Sequence, residues 1–94
     1  STPAPSDVQA AVSAKDVVDA ALQRMLDRPK GAANEFSVLM ESFEGYAQGY
    51  GGPFRDLLET AKDVQGKLGD SPTASQIEAE MGRLQAKLSE IIGS

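Results

Sequence analysis

Two stretches of this chain carry matching spacings. Phe54, Leu57, Ala61, Val64 and Leu68 follow one another at intervals of 3, 4, 3 and 4. Ile77, Met81, Leu84, Leu88 and Ile91 follow at 4, 3, 4 and 3. A mean step of 3.5 residues puts each set on one narrow side of an α-helix, the seam by which packed helices meet. Gly69 stops the first run, and Asp70-Ser71-Pro72 makes a turn before the second. Thr73 and Gln76 then have the spacing of a capping box, in which each side chain bonds the backbone N–H near the other. Two seams joined by so short a connection predict an antiparallel helical hairpin over 53–68 and 73–92.

The first half reads as helix too. Phe36, Leu39, Met40, Phe43, Ala47 and Tyr50 share a face of a helix expected over 33–50, with Glu35 near its positive end. Gly51-Gly52 ends that helix, and Pro53 suits a first turn, where its missing N–H costs nothing. Upstream, Val8, Ala11, Val12, Val18, Ala21, Leu22, Met25 and Leu26 predict a helix over 8–28 capped by Asp7. Ser13 and Asp16 offer a capping box at which this helix could restart, while Pro29 and Gly31 end it. Residues 1–6, with Pro3 and Pro5, read as a flexible arm. The expected fold is all-α, a small bundle of about four helices in one domain over 7–94. Its C-terminal hairpin is the firmest part, and its first helix could pack on the rest or away from it.

Composition narrows the function more by exclusion than by assertion. The chain has 94 residues and a net charge of −5. Its nine basic residues form no run, which argues against nucleic acid and anionic membranes as partners. No apolar run approaches the roughly 20 residues of a membrane span, and no signal-peptide pattern is visible. A cytoplasmic protein, or one exported without a recognisable signal, fits both points. Cysteine and histidine are absent, which removes thiolate chemistry and the commonest general base. Glu41 and Glu44, and Glu78 and Glu80, are paired carboxylates of the kind that can act as acid and base or hold a divalent cation. They fall beside the seams at solvent positions, where charges on amphipathic helices ordinarily stand. The expectation is a non-enzyme without metal or cofactor.

Glycines inside helices are the more informative signal, since each costs about 1 kcal/mol relative to alanine. Gly45 and Gly49 lie four apart, on one face, flanked by Tyr46 and Tyr50. They would let another backbone approach, or they are the fraying end of a helix. Gly66 and Gly82 lie off the seams of the hairpin and are either contact points or tolerated neutral positions. Tyr46, Tyr50 and Phe54 form either an exposed aromatic patch of the sort enriched at interfaces or a lid over the core. Met25, Met40 and Met81 fall on apolar faces and read as core filler. These features point to a protein partner or a homo-oligomer, with Gly45, Tyr46, Gly49, Tyr50, Phe54, Gly66 and Gly82 as candidate contacts. A small carrier holding an apolar ligand or metal among Phe36, Met40, Phe43 and Phe54 is the alternative of a different class.

From Glu35 onward the order of features resembles the inner-rod subunits of type III secretion systems. Phe36-x-x-Leu39-Met40 is followed by glycines before Leu57-Leu58, then by Gly69-Asp70-Ser71-Pro72 before a leucine-rich helix. The resemblance covers about two-thirds of the chain and implies an exported helical subunit that assembles into a rod or filament. That family carries a further long helix after the last seam, which these residues do not. In length and midpoint turn the chain is also similar to the secreted helical hairpins of type VII systems, without their Trp-x-Gly motif.

Overall fold

A computed structural model describes residues 4–93. Helix α1 spans Pro5–Asp27, α2 Ala32–Gly49, α3 Gly52–Leu68 and α4 Ala74–Gly93, with a single 3₁₀ turn over Pro29–Gly31. Consecutive helices joined by turns this short run antiparallel. Each packs on its chain neighbour, and α4 returns against α1, closing an up-down-up-down bundle of 37 × 20 × 16 Å.

The hairpin forms as its spacing requires. Every seam residue of α3 and α4 is buried. Thr73 N donates to Gln76 Oε1 at 2.8 Å and Gln76 N to Thr73 Oγ1 at 3.1 Å, the two reciprocal bonds of a capping box. Gly69 ends α3 at φ 61° and ψ −154°, a conformation essentially restricted to glycine. Arg83 Nη1 joins the two helices across their outer side, 2.8 Å from Asp63 and 2.7 Å from Glu80 on its own helix.

The first helix departs from expectation in three ways. It starts at Pro5 rather than Val8, inside the stretch read as an arm, of which residues 1–3 lie outside the described residues. Proline at the first helical position lacks an N–H that would have gone unpaired and has the right φ already. Asp7 is therefore not the cap but the third helical residue, and its carboxylate accepts from Ala4 N at 3.3 Å. The helix also runs unbroken through Ser13 and Asp16, because nothing between Ser6 and Arg28 interrupts helical backbone and its inner face is covered. That inner face is built from Asp7, Ala11, Ala14, Val18, Ala21 and Met25, with Ala10 beside it. Val12, assigned to it from the sequence, is 46% exposed.

Alanine seams have no bulk to hold helices apart. Accordingly α1 makes its widest contact with α4, and the first helix belongs to the bundle rather than packing away from it. Asp19 on α1 accepts from Gln85 Nε2 on α4 at 2.8 Å, fixing the register of that pair. The core between the four helices holds Phe36, Phe43 and Phe54 as its largest fully buried side chains, with Leu57, Leu84, Leu88, Ile77 and the methionines Met25 and Met81 around them. Each such side chain contributes about 1.5–3 kcal/mol by leaving water.

Candidate functional site: the groove between α1 and α2

The surfaces of the bundle are not alike. Ion pairs and mixed charge cover the α2–α3 and α3–α4 sides, where Arg55, Asp56, Glu59, Lys62 and Asp63 face outward together with Glu44 and Arg83. The α1–α2 side differs. Arg24 Nε donates to both carboxylate oxygens of Glu35, at 3.0 and 2.9 Å, and clasps the two helices near one end. From that clasp toward the other end, Ser13, Val17 and Ala20 share the side of α1 that carries Arg24, at steps of 4, 3 and 4. On α2, Val38, Ser42, Gly45 and Gly49 continue from Glu35 at steps of 3, 4, 3 and 4. None of these seven is charged.

Three of the four large apolar residues exposed on the described surface stand here: Val38 at 63%, Val17 at 41% and Tyr50 at 38%. A hollow of about 290 Å³ lies against Ser42, Gly45, Tyr46 and Tyr50. A wider one of about 440 Å³ begins at Val38 and extends past Glu35 and Arg24 to Asn34 and Arg28. Charge returns at the edges. Asp16 and Asp27 stand exposed along the outer edge of α1, and Glu41 along the opposite edge of α2.

The residues singled out from the sequence separate into groups. Gly45 and Gly49 belong to α2 and open outward, with no atom within 4 Å of where a Cβ would stand. Tyr46 is half-buried against the core, its ring 5.4 Å from Phe54 and nearly parallel to it. Burial, and the neighbouring Tyr50, push the Tyr46 hydroxyl above the ordinary tyrosine range. Tyr50 caps α2 in extended backbone, 5.9 Å from Tyr46 and 5.3 Å from Phe54. Phe54 is fully buried. The aromatic trio is thus both core and patch: its inner member is packed away and its outer member meets solvent. Gly66 and Gly82 also face open space, but on α3 and α4, away from this groove. Structure therefore brings Gly45, Tyr46, Gly49 and Tyr50 together and separates them from Gly66 and Gly82.

Val17, Ala20, Val38 and Ser42 were not singled out from the sequence. Their signal was present as a second stripe of helical spacing on each helix, outside the core stripe. Among the carboxylates, Glu80 is held by Arg83, and Glu41, Glu44 and Glu78 are exposed. The hydrogen bond from Gln85, with Lys15 adding a bond and its charge, lowers the Asp19 carboxyl despite some burial. No group of three potential metal ligands is gathered among the described residues. Nor is any helix of the described residues long and apolar enough to cross a membrane.

No family model matches this chain, and no curated protein or solved structure matches it either. The inner-rod resemblance of residues 35–94 therefore rests on its motifs alone.

Proposed function

We propose that this chain is a non-catalytic helical docking module whose contact surface is the α1–α2 groove. The observation that carries the reading is that Val17, Val38 and Tyr50, three of the four large apolar residues exposed among the described residues, stand on the α1–α2 side, where the charges of Arg24 and Glu35 are paired with each other. Isolated apolar side chains on a surface are ordinary, but a contiguous set rimmed by polar groups is the usual mark of a protein contact. The lack of histidine and cysteine and the outward placement of the carboxylates support a binding role over a chemical one. If the chain is a rod or filament subunit, as the inner-rod resemblance implies, the same groove is where copies would meet. A carrier role gains less support, since Phe36, Phe43 and Phe54 are packed into the core.

The test is to measure solution mass by light scattering over a concentration series and, in parallel, to recover partners from an extract of the host. Either self-association or a retained protein should be lost in the Val38→Glu variant. A monomer that retains nothing, or contacts that Val38→Glu leaves intact, would overturn the proposal.

A further inference from the structure

Asp7 is the one buried polar or charged side chain among the described residues. A carboxylate taken out of water needs partners, yet no lysine or arginine of the described residues pairs with it. Its place on the helix supplies one partner. As the third residue of α1 it accepts from Ala4 N at 3.3 Å and stands at the positive end of its own helix. The other lies across the bundle. Asp7 Oδ2 is 3.7 Å from the point where a Cβ on Gly51 would stand, so the carboxylate rests on the turn between α2 and α3. Gly51 is the N-cap of α3 and has no side chain with which to cap it. The charge of Asp7 thus stands near the positive ends of two helices.

We propose that Asp7 is a latch: its carboxylate couples the first turn of α1 to the first turn of α3, so that the two starts open and close together. These helices stand diagonally across the bundle and have no broad contact of their own. From its start to Ala14, α1 otherwise turns only Ala10, Ala11 and Ala14 toward the core. An alanine methyl contributes far less by leaving water than Val18 and Met25 do further along. Charge is therefore a large part of what holds this end of α1 down. Gly51 joins Tyr50 to the helix that carries Phe54, so release would loosen the aromatic end of the core. Arg55 folds back on the same turn, its Nη2 3.8 Å from where a Cβ of Gly52 would stand, but it forms no ion pair with Asp7. The latch stands or falls independently of the docking reading.

Residue-resolved amide exchange of the intact chain, extended to the sub-second range that helix ends require, reads the coupling in both directions. Asp7→Asn keeps the shape of the side chain and removes its charge. It should speed exchange at Gln9 and Ala10 in α1 and at Phe54 and Arg55 in α3, by about three- to thirtyfold. Asp16→Asn, the same change at an exposed position, should leave both starts as they are. In the other direction, Gly51→Val places bulk against the carboxylate and should speed exchange at Gln9 and Ala10, whereas Arg55→Gln should not. Faster exchange in α1 alone under Asp7→Asn would reduce Asp7 to a local cap and overturn the latch. An equal rise throughout the bundle, or no change, would overturn it too. So would an α1 start that ignores Gly51→Val, or one that answers Arg55→Gln as it answers Asp7→Asn. Should Asp7→Asn fail to fold, Gly51→Val decides alone, in a chain that keeps Asp7.

Discussion

At the scale of single residues, one glycine is conformationally obligatory and most are not. Gly69 sits at φ 61° and ψ −154°, where a Cβ collides with its own backbone whatever the space around it. Gly69→Ala should therefore destabilise the bundle by about 1–3 kcal/mol, read from chemical denaturation. An unchanged midpoint would show that the turn relaxes without cost. Gly45, Gly49, Gly66 and Gly82 have ordinary helical backbone and empty space where a side chain would go. At these positions glycine only lowers helix propensity. The sequence could not tell these two kinds apart from the residue alone, because composition does not encode φ. What marked Gly69 was its place between a finished seam and a capping box.

At the scale of elements, legibility followed how much of a helix's inner face was made of large side chains. Helices α3 and α4 were readable almost to the residue, since Leu, Ile, Val and Phe at 3–4 spacing have no other use in a short polar segment. In α1 the expected face is right at Ala11, Val18, Ala21 and Met25, but buried Ala14 carries too little hydrophobic signal to be assigned and exposed Val12 is included in its place. Its start was missed for a related reason. Asp7 is a plausible cap, but Pro5 can begin a helix earlier and Asp7 then serves from the third position. Of the residues along the proposed groove, Gly45, Tyr46, Gly49 and Tyr50 stand out in the sequence itself, whereas placing Val17 beside Val38 needs the knowledge of which helices are neighbours. The α4 cap offers a check at this scale. Thr73→Ala should cost about 1 kcal/mol, and Thr73→Ala with Gln76→Ala should cost less than the sum of the two singly, because each bond holds the other's geometry. Strict additivity in a double-mutant cycle would mean the two bonds act independently.

At the scale of the molecule, the bundle has one core that all four helices enter, and α1 is a full contributor to it. Ala14 is almost completely buried, on the inner face of the helix that packs most widely on α4. Ala14→Leu should overpack the core and lower stability by about 1–3 kcal/mol in a single cooperative transition. A neutral effect, or a separate early transition for α1, would show that this helix is merely laid on the other three. The outward groove draws on the same arrangement, since its two walls are the backs of helices whose inner faces are already satisfied by the core.

The up-down-up-down path also places the start of α1 and the end of α4 at the same end of the bundle, on the two helices that share the widest contact. Tension applied between those two points would not shear the helices along their length, with all contacts resisting together. It would peel α1 from α4 a turn at a time, from Ala10 and Ile91 inward, until the Asp19–Gln85 link gave way. Mechanically the fold resembles a zipper held at its open end: firm against heat and solvent in proportion to its core, and yielding to a pull.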